Sequence, residues 1–393
     1  MKKFLIILLL SQLVTACIYP YTPDLKEAPE EVLTVDANIS VGEASTVRLG
    51  TLSPVYPDSD YIPADLSGAQ VWVEDDAGTV YPGTSSKSYY GYAVDYYFRD
   101  ISPIFTIDTE NAPADRRYRL VIEALGNTYV TDWNTLSKAP EVKDIEFKAD
   151  DYSVFVYVTV DGGEDATGYM LLSYDETWEF HVDYLPMYDY NPEYGFVTEL
   201  EHIDQSKYWC WRYHDNMRTI PIDYTALSGS GITGYRLYSF ARSDNRNHRR
   251  YCTNIKAKSL SRETYRFLYN LETNTNGGDN LFTPNPGDIP SNLRCETDPE
   301  KSVLGYAIFS RTFSKRGWLD SRYQSYSPSY ALVYPLKQSY LTYWQSGYLP
   351  LDKRMPEEVK ENEGEYGWGP RTCYDCTAAG GTLEKPAYWN ETE

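Results

Sequence analysis

Residues 153–160 read SVFVYVTV, β-branched and aromatic side chains in two-residue alternation, and the run closes on the turn Asp161-Gly162-Gly163. An extended chain sends successive side chains to opposite faces, so this stretch predicts a strand. The same signature recurs outward in both directions. Upstream lie 32–39 (VLTVDANI), 46–52 (TVRLGTL), 70–74 (QVWVE) before the turn Asp75-Asp76-Ala77-Gly78, 118–124 (YRLVIEA) before Leu125-Gly126-Asn127, and 128–133 (TYVTDW). Downstream, 169–174 and 177–182 repeat it. Short strands punctuated by turn residues predict a mainly β chain. We read an N-terminal immunoglobulin-like β-sandwich over 32–139, Pro140 as punctuation, and a second β-rich domain over 140–349 with one inserted helix.

That helix is expected at 261–274. Ser261 is its N-cap, Glu263 sits in the first turn where it favours the dipole, and Tyr265, Leu268 and Tyr269 form an apolar stripe before Asn276-Gly277-Gly278 ends it. Residues 187–205 are aromatic and acidic without a period, which predicts a long loop packed on its own tyrosines. The three prolines of 281–293 (LFTPNPGDIPSNL) force an extended path towards a strand at 303–310 (VLGYAIFS). Residues 350–393 are expected to be irregular, held down by aromatics and a disulfide.

The chain opens MKKFLIILLLSQLVTAC: Lys2 and Lys3, an apolar run over 4–10, then Val14-Thr15-Ala16 leading to Cys17. This order reads as a lipoprotein signal, with residues 1–16 removed and Cys17 acylated; an ordinary secretory peptide or an N-terminal strand is the plainer alternative. The run is shorter than the roughly 20 apolar residues that span a bilayer. Residues 17–31, rich in proline and acid after the cysteine, read as the acylated residue and its tether. Ile18 after Cys17 gives no aspartate signal for inner-membrane retention. The protein is therefore expected on the outer membrane, and both its surface and its periplasmic face are compatible with the sequence.

The formal net charge is −21, and about −23 once Lys2 and Lys3 leave with the signal. That charge disfavours anionic membrane surfaces and excludes nucleic acid as a partner, because phosphate binding rewards Lys and Arg. The 39 tyrosines suit strands and wet surfaces, since the ring is flat and apolar while the hydroxyl is polar. After Cys17, five cysteines remain, Cys210, Cys252, Cys295, Cys373 and Cys376. In an oxidising compartment this odd number allows up to two disulfides with one thiol left over.

Cys373-Tyr374-Asp375-Cys376 is a CxxC, but no second CxxC or βαβ pattern accompanies it, so structural disulfide is favoured over zinc or redox chemistry. Each of its cysteines is expected to pair with a distant partner or to stay a thiol, and Cys210 is the first candidate partner. The four histidines, His181, His202, His214 and His248, are not spaced as ligand pairs. The acids Asp58, Asp60 and Asp65, and the run from Glu357 to Glu365, read as solvated faces rather than calcium sites. No nucleophile elbow, phosphate loop or zinc-protease helix occurs, so no catalytic residue, metal site or cofactor is assigned. Two clusters offer a ligand or partner surface. Tyr208-Trp209-Cys210-Trp211 concentrates aromatic area, for which core packing around a disulfide is the favoured alternative. Arg242, Arg246, Arg249 and Arg250, with His248, form the one basic patch, for which a solvated loop is favoured.

Several phrases in order carry a family resemblance: 70–78 (QVWVEDDAG), Cys210-Trp211, 260–272 (LSRETYRFLYNLE), 281–293, 304–306 (LGY) and 373–389 (CYDCTAAGGTLEKPAYW). Together they resemble the Bacteroidota lipoproteins of domain-of-unknown-function family 4249, over nearly the whole mature chain. Cys252 and Cys295 are not expected across that family, which leaves a private disulfide between them open. The resemblance implies a lipid-anchored, β-rich protein often encoded beside a TonB-dependent outer-membrane transporter, and it carries over no catalytic residue. The expectation is a non-enzymatic outer-membrane lipoprotein that partners such a transporter, capturing a ligand of unspecified chemistry or capping its outer face. The alternatives are an adhesive or glycan-binding surface protein and, less favoured, an extracellular carboxylate-dependent hydrolase.

Overall fold

The computed structural model describes residues 32–52, 65–87, 103–163, 166–227, 230–276, 291–320 and 330–390. The signal and tether, Cys17, Asp58, Asp60, the helix stop at Gly277-Gly278 and most of the proline-rich run lie outside them. The described residues are mainly β with two short α-helices.

The first unit begins with β1 (Leu33–Ser40), β2 (Ala44–Thr51), β3 (Gln70–Asp75), β4 (Val80–Lys87), β5 (Pro103–Asp108), β6 (Arg117–Ala124), β7 (Asn127–Thr131) and the short β8 (Asn134–Thr135). Alternation does what the sequence leads one to expect: Leu33, Val35, Ala37 and Ile39 of β1 are buried, as are Val71 and Val73 of β3. β4 changes partners midway, pairing Pro82 with Trp72 on β3 and Gly83 with Ile107 on β5. A Cβ on Gly83 would come within 2.7 Å of the Val71 carbonyl oxygen, so the crossing needs glycine.

Two strands from far along the chain complete this unit. Leu293–Cys295 pairs antiparallel with β7, and Val303–Ser310 runs parallel to β1 from Leu33↔Val303 to Ser40↔Ser310. Leu293, Cys295, Val303 and Ala307 join the same core as Leu33, Leu49 and Ile122. The Asn292 amide bridges the two ends, donating to the Ala307 carbonyl and accepting from its N–H, each at 2.8 Å. The boundary at Pro140 therefore separates strands that share one core: 293–310, read as part of the second domain, packs in the first.

The second unit contains β9 (Glu141–Ala149), β10 (Ser153–Asp161), β11 (Tyr169–His181), the hairpin β12 (Tyr188–Asn191) and β13 (Phe196–Glu199), β14 (Trp209–Asp223), β15 (Gly231–Ala241) and β16 (Arg250–Ser259). Helix α1 (Arg262–Asn276) follows, then β17 (Leu293–Cys295) and β18 (Val303–Ser310) of the first unit, then β19 (Thr312–Asp320). Sheets ordered β15-β10-β9 and β14-β11-β16-β19 enclose one core. Val154, Val156, Val158 and Val160 all point into it. On the other face of β10, Arg236 lies over Phe155 and Lys148 over Tyr157, so long basic stems cover the outward rings.

Ser261 caps α1 as expected, its Oγ accepting the Thr264 N–H at 3.1 Å. The buried face differs from the expected stripe. Thr264 and Phe267 are buried and Phe267 stacks on Tyr306, whereas Tyr269 is exposed. The helix wedges between the units, and this tertiary partner decides which side faces inward.

Residues 187–205, expected as a loop, contain the β12–β13 hairpin. Near the C-terminus, helix α2 (Tyr340–Gln345) precedes a second hairpin, β20 (Tyr348–Lys353) and β21 (Tyr366–Pro370), where irregular chain was expected. Tyr190 of the first hairpin packs edge-on against Tyr340 and Trp368. Tyr188 and Tyr190 thus find aromatic partners 150 or more residues away, while Tyr194 meets Phe196 within the hairpin. No helix among the described residues is long and apolar enough to cross a membrane.

Candidate functional site

β11 ends at His181, which pairs with Trp209 at the start of β14. Beside this sheet end runs the CxxC segment, tied by Tyr184 N–H to the Cys373 carbonyl and by Cys376 N–H to the Lys207 carbonyl. The Cys210–Cys376 disulfide pins it, with Cα atoms 5.7 Å apart. Cys210 is thus the partner of the second CxxC cysteine. Cys252, Cys295 and Cys373 are buried thiols outside the disulfide. A private Cys252–Cys295 bond is ruled out by the fold, because Cys252 lies on β16 of the second unit and Cys295 on β17 in the first core.

These elements enclose a half-open cleft of about 200 Å³ lined by Phe180, His181, Asp183, Asn245, His248, Tyr330 and Cys373, among others. The imidazoles of His181 and His248 stack at 4.2 Å, Tyr208 stacks on His181 at 5.1 Å, and Trp209 meets its edge at 4.9 Å. Arg249 lies over the Trp209 ring and pairs with Glu179 at 2.7 Å. The aromatic and basic clusters, 40 positions apart in sequence at Trp209 and Arg249, thus meet at one site.

The other predicted residues have different employment. Arg246 turns inward to Glu176 at 3.3 Å and over Trp178, Arg250 pairs with Asp320 and lies over Trp318, and Arg242 donates to the Asp150 carbonyl. The arginines are therefore paired one by one along the sheet edge. Trp211 exchanges backbone hydrogen bonds with Thr382, which stitches the C-terminal segment to β14. Sequence reading passed over Asp183, Asn245 and Tyr330; it weighed His181 and His248 only as histidines not spaced for a metal, and placed His248 beside the basic patch. The alternating run 177–182, with His181 next to its last residue, was the available signal.

Burial, then the neighbouring His181 ring, pushes His248 down to about 4, so it is neutral at neutral pH. Its Nδ1 accepts the His181 backbone N–H at 3.3 Å, which places the ring proton on Nε2. Burial and then Asp183 push the Cys373 thiol up to about 11, so it stays protonated. A neutral imidazole beside a protonated thiol is not an activated nucleophile. Asp375 within the CxxC is buried, which raises a carboxyl, yet hydrogen bonds from Thr377 and Arg371 hold it well below the usual range, with Lys207 adding another. It anchors the loop. Among the described residues no three His, Cys, Asp or Glu side chains are grouped to hold a metal ion.

What this arrangement can do is stack flat or apolar groups and hydrogen-bond polar ones. No curated protein matches the chain. A family model described as Domain of unknown function (DUF4249) matches residues 18–316, a span that includes Cys210 and stops before Cys376. Covering well over half of the 393 residues, that match places the protein in the DUF4249 family.

Proposed function

We propose that the protein is a non-enzymatic, lipid-anchored outer-membrane lipoprotein that captures a ligand for a TonB-dependent transporter. The cleft at the end of β11 carries the binding part of this reading. Its rings and the neutral His248 imidazole supply stacking and hydrogen bonds, the Arg249 guanidinium over Trp209 flanks it, and its thiol is held protonated. Residues 1–17 support the anchor, and the transporter enters through the family resemblance. A paired-carboxylate hydrolase needs two acids about 5 to 10 Å apart across a cleft. Among the described residues Asp183 is the one acid lining this cleft, so that reading gains nothing here.

Affinity purification of the tagged protein from detergent-solubilised outer membrane tests the proposal. Co-recovery of a transporter is expected, and recovery of well-expressed protein without one would overturn it. Cys17→Ala should abolish palmitate labelling and move the protein to the soluble fraction. The adhesive reading is favoured by the Tyr208 and Trp209 rings. It predicts glycan or matrix binding that is lost in Trp209→Ala and needs no transporter.

A further inference from the structure

A second cleft of about 200 Å³, the liquid volume of roughly six or seven waters, lies where the two units meet. β1 contributes Asn38 and Ser40, β16 contributes Lys256 and Lys258, and β19 contributes Thr312. In each of the first two strands the residues are two apart, so both side chains share a face.

Lys258 is 8 % exposed. Its Nζ donates to Asn38 Oδ1 at 2.8 Å and Ser40 Oγ at 2.6 Å, both neutral acceptors. An ammonium carries three donors, so one N–H remains beyond these two. No carboxylate among the described residues forms an ion pair with it. Glu43, from the β1–β2 turn, acts on it at longer range, and Lys256 is committed to Asp175 at 3.0 Å. Burying a cation against neutral partners alone is strongly unfavourable, because they do not replace the hydration it gives up. Two buried hydroxyls nearby also have no partner among the described residues: Thr312 Oγ1, lining the cleft, and Ser310 Oγ, whose residue pairs with Ser40. Such groups call for a partner, protein or ligand.

We propose that this junction cleft binds a small carboxylate, one oxygen accepting from Lys258 and the other from Thr312. A carboxylate supplies the missing negative charge and the missing acceptors together. Glu43 on the cleft wall opposes a second negative charge, which selects a monoanion over a phosphate dianion. Lys258 belongs to one unit and its protein acceptors Asn38 and Ser40 to the other, so the ammonium that would receive the anion also ties the units together. Burial, with Lys256 adding repulsion and Glu43 opposing both, holds Lys258 down at about 8. Carboxylate binding would therefore weaken as the ammonium loses its proton in alkaline solution.

Isothermal titration of the full chain with sodium acetate, against sodium phosphate at matched ionic strength, tests this. Saturable acetate binding is expected at pH 7, weaker binding of phosphate, and roughly tenfold or greater loss of acetate affinity at pH 9.5. Lys258→Met should abolish binding. Thr312→Val, which keeps the side-chain shape, should weaken it several-fold without shifting the acetate-free melting temperature. The proposal is overturned by absence of saturable acetate binding, by phosphate binding more tightly, or by undiminished binding to a folded Lys258→Met or to Thr312→Val.

Discussion

Glu176 is 2 % exposed in the centre of β11, where alternation alone would place an apolar side chain. It is tolerated because Tyr251 donates to it at 2.6 Å while Arg246 and His214 each approach to 3.3 Å. Glu176→Ala would leave the inward-facing guanidinium with Asp244 alone at 3.5 Å, and urea unfolding should report a loss of about 3 kcal/mol. Glu176→Leu combined with Arg246→Leu should recover most of that loss, because an apolar pair needs no compensating charge. Recovery absent in the double variant would mean that the pair acts through geometry rather than charge. The basic patch was legible from Arg242 to Arg250, but its inward member was not, since nothing in a sequence marks one glutamate 70 positions away as its partner. His248 carries a separate prediction. An unfolded chain takes up the imidazole proton near 6.5, the folded one near 4, so its contribution to stability is complete above about 6.5 and is lost as pH falls towards 4. Wild type should therefore lose more urea resistance than His248→Asn between pH 7 and pH 5, and equal losses would refute the burial account.

Among the elements, those whose burial follows from their own residues were readable: β1, β3, β6 and β10 show the alternation that their sequences carry. The hairpins β12–β13 and β20–β21 were not. Their strands, YDYN with FVTE and YLPLDK with YGWGP, contain turn formers and little alternation. They exist because Tyr190, Tyr340, Tyr366 and Trp368 pack on one another, a tertiary effect that overrides local propensity. The CxxC was legible as a disulfide site, and Cys210 as its first partner, because its surroundings lacked metal or redox context. That bond closes a loop of 166 positions, for which the chain-entropy account gives about 5 kcal/mol. The double serine variant Cys210→Ser, Cys376→Ser should lower the melting temperature and, more locally, speed amide exchange at Trp211 and Thr382, whose mutual hydrogen bonds join the C-terminal segment to β14. Unchanged exchange there would show that the aromatic contacts hold the segment without the bond.

At the scale of the molecule, the two units are not successive pieces of chain. The first core is finished only when β17 and β18 arrive, after the whole of the second unit's first eight strands and α1 has been made. Gly305 explains part of the LGY phrase: at φ +111°, its hydrogen faces the Val35 carbonyl oxygen, which a Cβ would approach to 1.8 Å, so β18 can lie against β1 only with glycine there. Tyr306 beside it stacks on Phe267 and thereby fixes the helix to the same seam. A fragment of residues 32–140 would lack both closing strands, exposing the inner faces of Leu33, Val35 and Tyr129 along with the unpaired edges of β1 and β7. It should give a poorly dispersed amide spectrum and no cooperative melt. Adding residues 291–311 as a separate peptide should restore dispersion, whereas the same peptide carrying Gly305→Val should not. A fragment that melts cooperatively by itself would mean that β1 to β8 form a complete core and that the later strands merely dock on it. Failure of the peptide to rescue, with the full chain folded, would instead assign the closing role to α1 and the Lys258 contacts that hold the seam from the other side.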